Sequence, residues 1–322
     1  MDTAIVPTAS AAIVESTPLD RNPAAVYIGS LTSAHSKRNM LRYLHQIAGM
    51  LTNGEQDALT LNWSAVHYQH TQTIRARLTE QYAPATVNVM LSALRGVLKE
   101  TWRLGLMSAE NYQRAVDLSN VKGSTLAAGR SLASGEIMAL ARACAEDVTA
   151  AGARDAAIIG ILSTCGLRRA EVAALMFEDV ETDSGKITIH SGKGRKARTV
   201  YATDGTHAAL MDWLAVRGNM SGPLFTPVLK SGTIRTDKGL TAQAIYKMLA
   251  KRGTEAGVKD FSPHDFRRTF AGDMLDAGVD IVTVAGIMGH ASVNTTGRYD
   301  RRPEETKRAA AKKLYFPYQK RG

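Results

Sequence analysis

Long segments with apolar side chains at helical spacing restrict the fold of this chain more than any other feature. In residues 40–51 and 85–98, apolar residues recur three and four positions apart, which places them on one face of a helix. Pro84, directly before the second segment, is typical of a helix start. Because the pattern extends from about residue 23 to 115 with few glycines or prolines, it predicts a small bundle of helices.

The later part of the chain adds a pair of strands to a helical pattern. Residues 186–190 and 198–202 flank a basic turn, which indicates a β-hairpin. Ser134 is predicted to cap a helix that follows it. Further helices are predicted at about residues 154–163, 168–175, 205–217, 241–256, 264–277, 280–288 and 302–314. The fold class is therefore mainly α with a small β-sheet (α+β).

A change in composition indicates two domains. Residues 118–130 are rich in small and polar side chains, as expected of a linker. Residues 1–24 have little amphipathic pattern and are predicted to form a flexible arm. We therefore predict a helical domain over residues 25–117 and a second domain over 131–322.

The charge balance favours a polyanionic partner. The chain has 40 Lys and Arg against 30 Asp and Glu, a formal net charge of +10, and a pI of about 9.6. The surplus is +3 in residues 1–130 and +7 in residues 131–322. Nucleic acid is the usual partner of such a protein, although solvated helix faces give the same count.

Several classes of protein are excluded. The two cysteines, Cys144 and Cys165, cannot form a disulfide framework, and their apolar neighbours predict that both are buried. The longest apolar segment, residues 156–167, is too short to cross a membrane. The N-terminus lacks the basic leader and apolar core of a signal peptide. We expect a cytoplasmic protein in a reduced state, without a membrane partner.

Four short segments of the second domain contain the candidate chemistry. They are CGLRRAEVAAL, SGKGRKART, SPHDFRRTF and IMGHASVNTTGRYD. Each segment alone is weak evidence of function. An arginine at a helix start is usually at the surface, and the turn that contains Lys193 lacks the spacing of a Walker loop. Their order resembles that of the tyrosine recombinases, also called the phage integrase family. That family has a GLR-x-x-E segment, a hairpin lysine, His-x-x-Arg, Gly-His and a tyrosine nine residues later, and His290 and Tyr299 are nine apart.

The resemblance implies strand cleavage and transfer between DNA sites. The tyrosine attacks the DNA, a 5′-hydroxyl leaves, and the 3′-phosphotyrosyl intermediate is then attacked by a 5′-hydroxyl of a partner strand. Because the covalent link conserves the bond energy, no metal, ATP or other cofactor is expected. The catalytic residues that the matching motifs imply are Arg168, Lys193, His264, Arg267, His290 and Tyr299.

The types of these residues suit chemistry at a phosphodiester. The guanidiniums of Arg168 and Arg267 can hold its oxygens through paired hydrogen bonds and stay charged. A lysine on the hairpin turn can give a proton to the leaving oxygen. Lys193 is preferred to Lys196 for this role because it matches the family's position. His290 is expected to donate a hydrogen bond to the phosphate.

Tyr299 is the expected nucleophile. A free phenol has a pKa near 10, so it needs help at neutral pH. The surrounding positive charge favours its ionised form, and His264 can accept its proton. Glu171 lies one helical turn from Arg168 and is expected to orient it, the alternative being a plain solvated glutamate. Other tyrosines that lack the Gly-His spacing are Tyr201, Tyr246, Tyr315 and Tyr318.

Four more basic residues are expected to contact DNA. Arg195 and Lys196 lie in the hairpin turn and suit backbone phosphates. Arg169 is an additional arginine directly after the GLR segment, and Arg268 stands where many family members have histidine. We predict that both also bind DNA.

The resemblance further implies an assembly on duplex DNA. The helical domain corresponds to the family's core-binding domain, and the two domains are expected to form a C-shaped clamp around the duplex. A homotetramer, with a dimer on each of two synapsed sites, is expected, together with accessory DNA-bending proteins in some cases. Residues 301–322 are the candidate tail for exchange between neighbouring subunits, with packing inside its own subunit as the alternative. The absence of a long extra N-terminal domain favours a recombinase of the Xer or transposon-resolvase sort.

Two other functions use parts of the same pattern. One is a DNA-relaxing or hairpin-forming relative with the same phosphotyrosine chemistry. The other is a basic protein that binds a specific DNA sequence without cutting it. Binding to RNA is disfavoured because the sequence lacks the aromatic platforms on which unpaired bases stack.

Overall fold

The chain divides into two compact units. The computed structural model describes residues 18–123, 129–190, 197–290, 292–297, 299, 311 and 317–318. The units are Met1–Ala128 and Gly129–Gly322, and the division lies inside the predicted linker. The finer domain boundaries stay predictions, since residues 1–17 of the expected arm lie outside the described residues.

The first unit is a bundle of helices. Its buried side chains come mainly from the apolar faces of the longest helices, among them Leu44, Ile74 and Leu94. Pro84 is the first residue of its helix, as the sequence predicts, because the fixed φ of proline suits a first helical position. The helices are α1 (Pro23–Ser30), α2 (Ala34–Thr52), α3 (Tyr68–Gln81), α4 (Pro84–Arg103) and α5 (Ala109–Val116), with a short 3-10 turn at Trp63–Ala65.

The second unit combines helices with a small sheet. Its strands are β1 (Val180–Glu181), β2 (Lys186–Ile189) and β3 (Arg198–Tyr201), and they pair antiparallel in that order, with Ile187 opposite Val200. Its described helices are α6 (Ser134–Glu146), α7 (Ala150–Thr164), α8 (Arg169–Ala174), α9 (Asp204–Arg217), α10 (Ala242–Glu255), α11 (Pro263–Asp276), α12 (Ile281–Met288) and α13 (Val293–Gly297), with a short 3-10 turn at Phe177–Asp179. The predicted fold class is confirmed.

The core of the second unit is built around α7. This helix is apolar on most of its circumference, and Ile158, Ile161 and Leu162 are fully buried. A helix of this kind has no solvent face and packs inside other elements. Its C-terminal end leads directly into the GLR segment at residues 166–168, so a buried helix positions that segment.

Both cysteines are buried, as predicted. Cys144 and Cys165 are each 1% exposed. Burial raises the pKa of the Cys144 thiol to about 12 and that of Cys165 to about 11. The two side chains therefore act as small apolar groups of the core at neutral pH. Within the described part of the chain, no helix combines the length and apolarity that a membrane span requires.

The start of α6 differs from the prediction. Ser134 is its first helical residue, and Ala133 is the cap. The backbone N–H of Ala133 donates to Oε2 of Glu136 at 2.9 Å, so a carboxylate in the first turn satisfies the helix end. Arg130 holds the same carboxylate with two hydrogen bonds of 2.6 and 2.7 Å. The expected helix at 302–314 lies outside the described residues, apart from residue 311.

A buried network of ion pairs joins three helices of the second unit. Arg252 of α10 is 1% exposed. It donates to Asp155 of α7 at 2.9 Å, to Asp147 at the end of α6 at 2.6 Å, and to Glu255 at 2.9 Å. Arg154 also donates to Asp155 at 2.7 Å, so two arginines offset the buried negative charge at this point of the core.

Asp147 makes this network sensitive to acid. Its burial alone would raise the pKa of the carboxyl, but hydrogen bonds from Thr149 and Arg252 outweigh burial and lower the pKa to about 2. The unfolded chain therefore takes up this proton at a higher pH than the folded protein does. The stability that Asp147 provides is complete above its ordinary pKa of 3.8 and is lost as the pH falls towards 2.

We expect Arg252→Met to lower the free energy of unfolding by about 3 kcal/mol, because Asp147 loses its guanidinium partner and the buried Asp155 keeps only Arg154. Urea unfolding at pH 7, followed by circular dichroism, measures this change. Arg235→Met is the matched control, since Arg235 pairs with Asp237 at the surface. No measurable change is expected there. An Arg252→Met variant that unfolds at the wild-type urea concentration would contradict the role of the network.

Candidate active site

Two of the predicted arginines meet at the C-terminal end of α12. Arg168 donates to the carbonyl of Met288 at 3.3 Å and to that of Gly289 at 3.1 Å. Arg267 donates to the same Met288 carbonyl at 3.0 Å. The last carbonyls of a helix have no partner inside the helix and carry the negative end of its dipole. This helix end therefore holds guanidinium groups before any DNA is present.

A third arginine, which the sequence analysis did not identify, joins them. Arg198 begins β3, and its Nε donates to the carbonyl of Ile287 at 2.7 Å. Its two terminal nitrogens donate to the two carboxylate oxygens of Glu171 at 3.1 and 2.7 Å. One signal was available, because Arg198 shares a strand face with the buried Val200. A charged residue at an inward position of a strand needs a buried counter-charge.

Glu171 connects two of the arginines. It accepts a hydrogen bond from Nη1 of Arg168 at 2.9 Å and another from the Arg168 backbone N–H at 2.8 Å, in addition to those from Arg198. Burial alone would raise the pKa of Glu171, but the hydrogen bonds from Arg198 and Arg168 outweigh it and lower the pKa. The carboxylate is therefore charged at neutral pH. These contacts agree with the expected orienting role towards Arg168.

Arg267 is the most deeply buried of the predicted catalytic residues that the structure describes. It is 2% exposed. One terminal nitrogen donates to the carbonyl of Gly166, and the other contacts Nε2 of His290 at 2.9 Å. Burial, followed by the charge of Arg168, lowers the pKa of Arg267 to about 10. The guanidinium keeps its charge at neutral pH, since this value is well above 7.

Two glycines of the motifs, Gly166 and Gly289, stand at positions where a side chain would clash with its surroundings. Gly166 has a φ of +59° and Gly289 a φ of +63°, a region that side chains disfavour. A Cβ at Gly166 would lie 2.5 Å from the ring of Phe270, and one at Gly289 would lie 2.8 Å from the guanidinium of Arg198. Their carbonyls accept from Arg267 and Arg168. Glycine is therefore required both by the backbone and by the close approach of these side chains.

The contacts of His290 define its protonation. A guanidinium only donates hydrogen bonds, so Nε2 of His290 accepts from Arg267 and carries no proton. The proton then lies on Nδ1, which donates to Oγ1 of Thr296 at 2.8 Å. Burial, followed by the charges of Arg267 and Arg168, lowers the pKa of His290 to about 4. The ring is neutral at pH 7.

The expected nucleophile lies beside its expected base. The hydroxyl of Tyr299 is 3.0 Å from Nε2 of His264. Burial and the charges of Arg267 and Arg268 lower the pKa of His264, so its neutral ring can accept the phenolic hydrogen. The Tyr299 ring also stacks on His290, with ring centres 6.1 Å apart. The structure thus brings His264, His290 and Tyr299 together, as the motif order predicts.

An open pocket lies next to these groups. It has a volume of about 320 Å³. At the edge of this pocket, the guanidinium carbon of Arg169 lies 5.5 Å from the centre of the Tyr246 ring. The residues that line the pocket are Arg168, Arg169, Tyr246, Ser262, Pro263, His264 and Arg267. Three arginines and a histidine that face one small space have the charge and the hydrogen-bond donors that suit a tetrahedral anion.

The remaining predicted residues differ in placement. Arg268 is 4% exposed, and its guanidinium carbon lies 5.9 Å from the centre of the Tyr299 ring. The expected hairpin residues Lys193, Arg195 and Lys196 lie outside the described residues, and so does most of the expected exchange tail at 301–322. Of the six predicted catalytic residues, the structure therefore brings five into one site.

Comparison with known sequences identifies the family. A sequence profile of the phage integrase family matches residues 130–305, which is more than half of the chain. This chain belongs to the phage integrase family. The match covers all of the described site, from Arg168 to Tyr299, together with the hairpin lysine that the structure does not describe.

Individual relatives in this family are tyrosine recombinases. The chain is 28% identical over 268 residues to tyrosine recombinase XerC of Azotobacter vinelandii, an alignment that covers 82% of this chain and 85% of that protein. It is 32% identical over 148 residues to tyrosine recombinase XerA of Pyrococcus furiosus, covering 46% of this chain and 50% of that protein. Against that XerA and the XerC of Chlorobaculum tepidum, the chain spans about half the length of the relative.

Solved structures of integrases share the fold. The Tn1549 transposon integrase in complex with transposon right end DNA superposes with a TM-score of 0.67 and 16% identity, covering 91% of this chain and 98% of that chain. A lambda integrase dimer bound to a COC′ core site gives a TM-score of 0.63 and 12% identity, covering 88% of this chain and 77% of that chain. The helical fold with a small antiparallel sheet is therefore that of this integrase group.

We expect the His290 ring to be neutral, with its proton on Nδ1, from pH 7 down to about pH 4. ¹⁵N NMR of histidine-labelled protein measures the tautomer and the titration, and the His290→Gln variant assigns the signal. In this range the unfolded chain binds a proton that the folded ring does not. The wild type should therefore lose stability more steeply than His290→Gln as the pH falls from 6.5 to 4. Titration of His290 near pH 6.5 would contradict these contacts.

Proposed function

We propose that this protein is a site-specific DNA recombinase that cuts and rejoins duplex DNA through a 3′-phosphotyrosyl intermediate. The observation that carries this proposal is the hydroxyl of Tyr299, which lies 3.0 Å from the neutral His264 beside a group of buried arginines. A nucleophile, a base within hydrogen-bond reach and fixed positive charge are the parts that phosphoryl transfer needs.

In the cleavage step the Tyr299 oxygen forms a bond to the scissile phosphorus, and its proton passes to Nε2 of His264. The bond between phosphorus and the 5′-oxygen breaks, and Lys193 gives a proton to that oxygen. Rejoining is the reverse, with the 5′-hydroxyl of a partner strand as the nucleophile. The phosphotyrosyl bond keeps the energy of the broken phosphodiester, so the cycle needs neither ATP nor a metal.

The arginines stabilise the charge that develops on the phosphate. Arg168 and Arg267 both line the open pocket, where their guanidiniums can donate to the two non-bridging oxygens. Arg198 and Glu171 hold Arg168 in this orientation through their hydrogen bonds. Arg168, Arg198 and Glu171 are already in this arrangement without DNA, so little reorganisation of these three groups is needed when the substrate binds.

His290 acts first as a support for Arg267. Both of its ring nitrogens are engaged, one by Arg267 and the other by Thr296. Donation to the scissile phosphate, which the family resemblance implies, requires a proton on Nε2. We propose that Nε2 takes up a proton from solvent when the phosphate draws the guanidinium of Arg267 away from the ring, because the negative charge of the phosphate then stabilises the protonated ring.

The proposed partner is duplex DNA, bound by a homotetramer with two subunits on each of two synapsed sites. The net charge of +10 supports an electrostatic contribution to this binding. The Tn1549 and lambda integrase structures, which have the same fold, are complexes with DNA. Arg169, Arg195 and Lys196 are the proposed contacts to the DNA backbone. We propose that residues 301–322 link neighbouring subunits. Accessory DNA-bending proteins are proposed as further partners, and the proposed location is the cytoplasm.

We expect Tyr299→Phe to abolish covalent attachment to DNA, because the phenyl ring has no oxygen with which to attack phosphorus. The wild type and the variant are incubated with singly nicked duplexes tiled across the DNA that flanks the gene. A protein–DNA band that resists SDS measures the intermediate. Tyr201→Phe is the matched control, since Tyr201 is 57% exposed on β3.

Three outcomes separate the functions. A band in the wild type and in Tyr201→Phe, absent from Tyr299→Phe, supports the proposal, and joined products between two sites distinguish recombination from relaxation. A band that survives Tyr299→Phe means that another residue is the nucleophile. Specific binding without a band in the wild type favours a DNA-binding protein that does not cut.

A further inference from the structure

We propose that Arg268 is a positioning residue for the nucleophile: its buried guanidinium holds the Tyr299 ring in the orientation from which the hydroxyl attacks. This role replaces the DNA contact that the sequence predicts for Arg268. It deepens the proposed function and rests on it, since it assumes that Tyr299 attacks the DNA.

The Tyr299 ring lies between the guanidinium of Arg268 and the rings of two histidines. The guanidinium carbon of Arg268 lies 5.9 Å from the ring centre, within the range of a cation–π contact. The ring centres of His264 and His290 lie 6.0 and 6.1 Å from that of Tyr299. Arg267 is a further charged neighbour of Tyr299. Both histidines are neutral, whereas Arg267 and Arg268 carry fixed charges beside the nucleophile.

Arg268 does not line the pocket beside Arg168 and Arg267, which is the proposed phosphate pocket. Arg267 and Arg268 are almost equally buried, at 2% and 4% exposure. Arg267 nevertheless lines the pocket beside Arg168, whereas Arg268 is not among its lining residues in the described part of the chain. A guanidinium that binds the scissile phosphate has to face the pocket in which that phosphate lies. The charge of Arg268 therefore faces Tyr299 and not the phosphate pocket.

The Arg268 side chain is enclosed by α11 and by the chain at Gly129. It extends from α11, one turn after His264, and the chain at Gly129 passes over it. Gly129 has a φ of +103°, and a Cβ there would lie 3.6 Å from Nη2 of Arg268 and would collide with the carboxylate of Asp265. The backbone N–H of Arg130 donates to that carboxylate at 2.8 Å. A side chain enclosed in this way is a fixed support.

Tyr299 lies at the end of a short helix and needs a neighbouring group that fixes the orientation of its ring. It is half-buried, and its backbone N–H donates to the carbonyl of Thr296 at 2.9 Å, at the end of the short helix α13. Its ring packs at the edge of a small apolar cluster that includes Phe270 and Met288. In-line attack on phosphorus requires a defined orientation of the nucleophile, and a small misplacement is costly in rate.

The test compares Arg268→Met, Arg268→Lys and the wild type on a nicked duplex that the wild type binds and cleaves. Methionine keeps the unbranched apolar part of the side chain and removes its charge, whereas lysine keeps the cation. We expect Arg268→Met to lower the single-turnover cleavage rate at saturating DNA by about tenfold, as loss of a partly buried cation–π contact predicts. The dissociation constant for DNA and its salt dependence should stay unchanged, and Arg268→Lys should recover part of the rate.

Arg217→Met is the matched control for a purely structural effect. Arg217 is 5% exposed in the same unit, and its guanidinium carbon lies 5.1 Å from the centre of the Phe177 ring, away from the site. Thermal unfolding reports the stability of each variant. We expect Arg217→Met to lose stability and to keep the wild-type cleavage rate at a temperature where it is folded.

Each result has a defined meaning. A wild-type cleavage rate in Arg268→Met overturns the positioning role and leaves the proposed function standing. Weaker DNA binding with a smaller salt slope in Arg268→Met assigns Arg268 to DNA and overturns the proposal. Equal losses of rate in Arg268→Met and Arg217→Met reduce the effect to stability and overturn it as well. A wild type that binds the duplex without forming a covalent band overturns this proposal together with the proposed function.

Discussion

Arg168, Arg198 and Arg267 all donate to the last carbonyls of α12, and the rest of the candidate site depends on this convergence. Three guanidiniums at such short range repel one another, and each loses hydration when it is buried. The negative end of the helix dipole and the carboxylate of Glu171 offset both effects. The elements that meet there come from distant parts of the chain, so the site forms only when the whole second unit is folded.

Burial and the same concentration of positive charge determine the state of the histidines. Burial first, and then the charges of the neighbouring arginines, lower the pKa of both His264 and His290. A neutral His264 can accept a proton from Tyr299, and a neutral His290 can accept a hydrogen bond from Arg267. A protonated ring could do neither. The arginines thus serve the histidines as well as the phosphate that they are proposed to bind.

Much of the fold and of the site could be predicted because helical periodicity and motif spacing are local properties of a sequence. The described helices of the second unit begin and end within four residues of the predicted bounds where a prediction was made. Arg198 was missed because its partner Glu171 lies 27 residues away, and only the fold brings them together. The prediction of Ser134 as the cap was wrong for a local reason, since the nearby Glu136 satisfies the helix end at Ala133 and is itself held by Arg130. The surroundings of Arg268 depend on packing and could not be deduced from its neighbours in sequence.

The helix end at Gly289 has a consequence for electroneutrality. Among the described residues, three guanidiniums meet one carboxylate and the partial negative charge of a helix terminus, about half an elementary charge. The surplus exceeds the single charge of a phosphodiester. A pentavalent phosphorus centre carries a second negative charge, so such a site counterbalances the reacting phosphate better than the resting one. A site that attracts most strongly when the charge is greatest lowers the barrier to reaction as well as binding the substrate.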